Sequence, residues 1–397
     1  MKKIACLLSF AISSSLAMSL DEIVDNALKN NQDINSIEKS IEIANENIVL
    51  AKQWKNPILT IGANDIHFDE PLSRDKEPMQ AQYIGISQII PIGKKIEIKE
   101  IIAKKDKEII SLSLEDKKLK LKSKIYEFSY NILILEKKLK LLTSYEKNIK
   151  KIEKLSASLY GYGKSNQNEI LSAKIAYSKI QIKKQNLKNM IKNLYLNLEQ
   201  ITYSKINLIK APIDIKELVL NMDIKIHPKI KMQKIQSSKF LNIARLEKEN
   251  EKSDIKVNIA YFNRDSKYKD YANISVNIPL SIYKTEKVKA LKAKLKANEI
   301  STKLEDLEND FKTKVLVLQN NINNAYSNYI LIQKTILPLK RKMQKNIENY
   351  NSLTGLKPQA AIQNLNELIS FEINSINQLK KYYSNYSKTK YYMTKVR

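Results

Sequence analysis

The chain carries few side chains able to do chemistry. Its 397 residues include two histidines, His67 and His227, and one cysteine, Cys6. Metal-ligating residue types crowd together at His67-Phe-Asp69-Glu70. Those ligands are too few and too close in sequence to close a shell around an ion, so the segment reads as a polar loop and no metal is expected. No phosphate-cradling glycine loop, nucleophile elbow or acid–base pair of carboxylates is visible. The sequence therefore predicts neither an enzyme nor a cofactor.

The ends and the composition say where such a chain works. Lys2 and Lys3 precede an apolar, small-residue run from Ile4 to Ala17. This is the pattern of an export signal, expected over residues 1–19, with small residues for cleavage at Ser15-Leu16-Ala17 or at Ala17-Met18-Ser19. The run falls short of the ~20 residues a membrane-spanning helix needs. Cys6 lies too early to be the lipid-bearing cysteine of a lipoprotein, and its removal would leave no thiol and no disulfide. Beyond the signal there is no apolar run of ~18 residues, so a membrane-spanning helix is not expected. An exported chain of this kind is periplasmic, secreted or an outer-membrane β-barrel. The net charge is +27, yet arginine occurs only at 74, 245, 264, 341 and 397. Nucleic-acid surfaces favour arginine's bidentate fork. Lysines mixed with Glu, Asn and Gln read instead as solvated helix faces, and no nucleic acid is expected.

The sequence repeats itself. Tyr83-Ile-Gly-Ile-Ser-Gln-Ile-Ile-Pro91 resembles Tyr271-Ala-Asn-Ile-Ser-Val-Asn-Ile-Pro279, 188 residues later. Tyr160-Gly-Tyr-Gly163 answers to Ser352-Leu-Thr-Gly355, with the glycines 192 apart, and Asn31-Gln-Asp-Ile34 to His227-Pro-Lys-Ile230, 196 apart. Between these landmarks run apolar heptads. Leu114, Leu121, Phe128, Leu135, Leu142 and Ile149 recur every seven residues, with Ile125, Ile132 and Leu139 at intervening positions. Leu304, Phe311, Leu318, Ala325, Ile332 and Leu339 do the same, with Val315, Ile322, Tyr329, Ile336 and Met343 between them. These are coiled-coil seams, or equally the core positions of a helical bundle. Residues 92–160 contain no proline and a single glycine at their start. At ~1.5 Å per residue that is about 100 Å of helix. Residues 283–353 are alike except for Pro338, where a break or kink is expected.

The segments ahead of each long helix change period. Ile255, Val257, Ile259 and Tyr261 alternate with polar or small residues, as do Ile274, Val276, Ile278, Leu280 and Ile282. Together they predict a hairpin with one apolar face. Residues 58–64 and 83–90 repeat the pattern more weakly, with Gln88 interrupting it. Tyr83, Tyr261, Phe262, Tyr268, Tyr271 and Tyr283 fall near strand ends, where interfacial aromatics belong. Four strands cannot close a useful barrel, and isolated hairpins expose their edges, so oligomerisation is the natural remedy.

At this point the sequence resembles the outer-membrane efflux (TolC-like) family. The resemblance lies in the order of short helix, hairpin, long helix, glycine turn and returning helix, twice over. Asn56-Pro57 and Ser87-Gln-Ile-Ile-Pro-Ile-Gly-Lys94 are similar to its heavy-metal-efflux branch. The fold implied is mainly α with a small β part: a duplicated hairpin-plus-long-helix repeat, forming in a homotrimer a helical periplasmic barrel capped by a shared twelve-stranded β-barrel. The first repeat would span residues 20–210, with its hairpin at 57–91 and helices at 92–160 and 165–203. The second would span 211–397, with its hairpin at 255–282 and helices at 283–353 and 358–393.

The resemblance also implies sites and partners. A periplasmic adaptor would dock at tips formed by Tyr160, Gly161, Gly163 and Lys164 and by Leu353, Gly355 and Leu356. Glu169, Gln363, Asn364 and Glu367 are candidates for the pore constriction. The family's acid six residues beyond the tip glycine is present as Glu169, whereas Ala361 occupies its place in the second half. An inner-membrane pump, with the RND type one option, would supply the energy, and outer-membrane lipid would surround the barrel. The implied role is the passive exit duct of a tripartite efflux system. The alternative is a soluble periplasmic coiled-coil adaptor or chaperone.

Overall fold

The computed structural model describes residues 17–71, 73–164, 166–220, 223–354 and 358–393. Most of the expected signal segment, residues 1–16, lies outside them. The elements follow as β1 (Met18–Ser19), α1 (Leu20–Asn30), α2 (Gln32–Lys52), β2 (Ile58–Asn64), β3 (Ala81–Ile90), α3 (Lys95–Gly161), α4 (Gln167–Thr202) and β4 (Ile209–Lys210). The second half gives α5 (Pro228–Glu249), β5 (Ile255–Asn263), β6 (Tyr271–Asn277), α6 (Thr285–Leu331), α7 (Leu337–Thr354) and α8 (Pro358–Tyr392). A π-turn, Ile332–Ile336, joins α6 to α7. The chain is mainly helical and forms two compact units.

The helical unit comprises Met1–Asn35, Asp116–His227 and Asn309–Arg397. On α3, Leu121, Ile125, Ile132, Leu135, Leu142 and Ile149 are buried. Leu135, Leu142 and Ile149 share one cluster with Ile180 and Leu187 of α4 and Leu365, Leu368 and Ile369 of α8. Each such side chain contributes about 1.5–3 kcal/mol by leaving water. The second seam is buried from Phe311 to Ile332. One contact occurs twice. The Asn31 side chain donates to Ile201 O at the end of α4 (2.9 Å), and His227 Nε2 lies 3.0 Å from Tyr391 O at the end of α8. Both meet carbonyls that a helix end leaves unpaired. The next landmark residues, Ile34 and Ile230, are fully buried.

The second seam changes at the π-turn. The heptads place Ile336, Leu339 and Met343 on it, but Leu337 is 0% exposed while Leu339 and Met343 are 59% and 49% exposed. Pro338 cannot donate an N–H, and its ring clashes with the carbonyl four residues back. The wider turn, with Leu337 N–H bonded to Ile332 O, accommodates it by inserting one residue. Every later position slips by one, to Leu337, Lys340 and Gln344. Lys340 then pairs with Glu367 of α8 at 2.6 Å, and Gln344 with Asn364.

The sheet unit comprises Ser36–Glu115 and Pro228–Glu308. Its four strands are antiparallel in the order β2-β3-β5-β6, so the two hairpins join through β3 and β5. At the foot of the sheet the Lys95 ammonium bonds Asp254, whose carboxylate also accepts the Ile92 N–H at 3.2 Å. The last strand is shorter than its alternation suggests. It ends at Asn277, ahead of Pro279, which has no N–H for a ladder, and Ile278, Leu280 and Ile282 are exposed beyond it.

Candidate functional site: the sheet faces and the helix turns

Cross-strand partners in a sheet share a face. Leu59 pairs with Ile86, Ile86 with Ile259 and Ile259 with Ile274, so one apolar row crosses all four strands. Ile61, Ile84 and Tyr261, and then Val257 and Val276, extend the same face. These side chains are exposed or half-exposed, Ile61 by 74% and Ile274 by 73%. Gln88 belongs to this face, and its amide is satisfied by Lys55 O and Ile89 O. The opposite face carries Thr60, Gly85, Ser87, Asn258, Ala260, Asn273 and Ser275.

The aromatics do not form the interfacial girdle their positions suggest. Gly62, Tyr83, Phe262 and Tyr271 are successive partners in one row on the polar face. Tyr83 stacks on Phe262 at 5.0 Å and Phe262 on Tyr271 at 4.8 Å. Tyr83 also covers Gly62, where a Cβ would come within 2.6 Å of the ring. The Arg264 guanidinium lies 5.2 Å from the Tyr271 ring and donates to Pro78 O, tying one strand-connecting loop to the other. Of the six aromatics, Tyr261 alone is a strand residue on the apolar face. Alternation identifies two faces, but only register assigns each ring to one of them.

The first helix turn is built from Tyr160, Gly161, Gly163 and Lys164. Lys164 N–H bonds Leu159 O (2.8 Å) and Gly163 N–H bonds Tyr160 O (3.0 Å), closing the end of α3. Gly163 has φ +69°, the left-handed conformation this closure requires. Asn166 then caps α4 by accepting from Glu169 N–H at 3.1 Å. Tyr160 and Tyr162 are exposed. Gly163→Ala is expected to cost about 1 kcal/mol, read as a lower melting temperature and faster proteolysis between α3 and α4. In the second turn, Leu353 lies in the last turn of α7 and Pro358 begins α8. Gly355 and Leu356 lie outside the described residues.

Gln363 and Glu367 line an open groove of about 820 Å³ between α4 and α8, opposite Lys179 and Lys183. Asn364 is buried and turned to Gln344 instead. Ala361, in the place of the family's acid, is buried as well, so a carboxylate there would be desolvated. His67, Asp69 and Glu70 sit in the β2–β3 loop, where Glu70 pairs with Lys76 at 3.0 Å. Among the described residues no three metal-ligating side chains converge.

Glu146 of α3 bonds Lys184 of α4, both side chains being 15% exposed. That hydrogen bond holds the Glu146 carboxyl below its ordinary value of 4.5, against the opposing effect of burial. A depressed folded pKa gives stability present above the unfolded value and lost as pH falls through the folded one. The melting temperature is therefore expected to fall on acidification below pH 4.5, and Glu146→Gln to flatten that dependence. An unchanged slope in the variant would refute the assignment.

Residues 23–202 match the family model for the outer membrane efflux protein. No protein of curated function matches the sequence. Among solved structures, the Campylobacter jejuni CmeC outer membrane channel is similar over 94% of this chain and 85% of its own, at 13% identity and TM-score 0.77. CusC is similar over 94% and 92%, at 10% identity and TM-score 0.79. The open state of the Neisseria gonorrhoeae MtrE outer membrane channel is similar over 94% and 88%, at 12% identity and TM-score 0.77. At these identities the likeness establishes the fold.

Proposed function

We propose, from the match of residues 23–202 to the outer membrane efflux protein family model, that the chain is the exit-duct subunit of a tripartite efflux system. It resides in the outer membrane with its helical part in the periplasm. The observation that carries the reading is the exposed apolar row Leu59–Ile86–Ile259–Ile274, backed by a polar face. A water-soluble sheet would cover such a row. A sheet between lipid and an aqueous lumen needs it uncovered.

Strands β2 and β6 end the sheet, and hydrocarbon does not tolerate open edges. Further copies of the chain, symmetrically arranged, supply the missing neighbours. A homotrimer would close twelve strands. Energy would come from an inner-membrane pump, RND-type or other, and an adaptor would dock at Tyr160, Gly161, Gly163 and Lys164 and at Leu353, Gly355 and Leu356. The constriction would be formed from among Glu169, Gln363, Asn364 and Glu367, of which Asn364 is bonded to Gln344 and Glu367 to Lys340. CmeC, CusC and MtrE are matched to similar extents, so they add nothing to the heavy-metal branch suggested by Ser87–Lys94.

The rival, a soluble adaptor or chaperone, calls for one pair of long helices and a lipoyl-like domain. The chain instead has two sets of long helices and a four-stranded sheet with an uncovered apolar face. The test is membrane fractionation followed by conductance in planar bilayers, with a deletion strain assayed across metals, detergents and antibiotics to name the cargo. Release from the membrane by mild salt alone would overturn the channel reading.

A further inference from the structure

The export signal offers two cuts, after Ala17 or after Ser19, and the fold distinguishes them. We propose that a signal-peptidase-class protease hydrolyses the Ala17–Met18 bond, so that Met18 is the first residue of the working protein. The inference rests on the export and outer-membrane reading above.

The two residues that a later cut would remove are both built into the fold. Met18 N–H donates to Leu208 O at 3.0 Å, and Met18 and Ser19 pair in parallel with Ile209 and Lys210. Ser19 is the N-cap of α1 in a complete capping box. Glu22 N–H donates to Ser19 Oγ at 3.3 Å, and Ser19 N–H to Glu22 Oε2 at 2.7 Å. The box satisfies N–H groups that a helix start otherwise leaves unpaired.

A chain starting at Leu20 would lose the strand pairing and the box together. It would also put a new ammonium on the first helical residue, beside N–H groups that already present positive charge. Leu20 is itself buried. A chain starting at Met18 keeps every one of these contacts. Its ammonium can donate to Leu208 O as the amide does, with charge added. In the cleavage, water supplies hydroxyl to the Ala17 carbonyl carbon as the C–N bond breaks, and protonation leaves an Ala17 carboxylate and a Met18 ammonium. Ser15 and Ala17 are the small residues such a protease accepts ahead of the cut.

The experiment is N-terminal sequencing and intact mass of the full-length chain expressed in a Gram-negative host and recovered from its outer membrane. A single species starting at Met18 is expected. A start at Leu20, or at any other residue of an exported protein, overturns the inference and leaves the export reading standing. A chain retained in the cytoplasm from Met1 overturns the export reading and the inference with it. In Ala17→Phe the Met18 start should disappear, and its persistence would overturn the role given to Ala17.

Discussion

Replacing Ile86 and Ile259 together by lysine is expected to abolish accumulation of the chain in the outer membrane. The two are direct partners at the centre of the apolar row, on the two middle strands of the sheet. On a lipid-facing barrel position near the bilayer midplane each lysine costs about 2–4 kcal/mol, and like charges placed directly opposite add to that. A combined penalty of about 4–8 kcal/mol is comparable with the ~5–15 kcal/mol that separates folded from unfolded states. The control is Asn273→Lys with Ser275→Lys on the polar face of β6, which an aqueous lumen would tolerate. Immunoblots of outer-membrane fractions, with and without heating to dissociate oligomers, read the result. Normal amounts of I86K/I259K in that fraction would refute a lipid-facing row. Equal loss of the control would show that the sheet tolerates no added charge on either face.

Much of this architecture is legible in the residues, because period is a direct image of local geometry. The heptads of α3 name its buried face from Leu121 to Ile149, and alternation locates the strands, although it runs on to Ile282 where β6 stops at Asn277. Gly163 announces its turn, since a helix closed in this way needs a residue that accepts positive φ. The unread parts depend on relations that no single segment contains. Phe262 looks like an interfacial aromatic until pairing with Tyr83 and Tyr271 puts it on the polar face. Asn364 looks available until the slip on α7 brings Gln344 against it. The position of Pro338 foretells a break, but not that the chain absorbs it as one inserted residue.

That inserted residue makes a second large effect calculable. Pro338→Ala is expected to let the π-turn relax to α-helix and to turn α7 by one residue, about 100°. Ile336, Leu339 and Met343 would then face α8, as their heptads direct. The exchange gives up the burial of Leu337, the Lys340–Glu367 pair at ~0–1 kcal/mol and the Gln344–Asn364 bond at about 0.5–1.5 kcal/mol. It gains the burial of Leu339 and Met343 at about 1.5–3 kcal/mol each. With alanine at 338 these terms nearly cancel and regular α-helical geometry is free to form, whereas in the natural chain proline's cost of ~3 kcal/mol weighs against the turned helix, so the natural polar seam depends on the proline. Loss of the segment bearing Cys6 leaves a chain without cysteine, and engineered pairs then report the register directly. Gln344→Cys with Asn364→Cys should crosslink in the natural background. Met343→Cys with Asn364→Cys should crosslink only in P338A. Deleting the exposed Thr335 from P338A removes the extra residue without the π-turn, so the 344–364 crosslink should return. If P338A alone still joins 344 to 364, the proline is not what sets the slip.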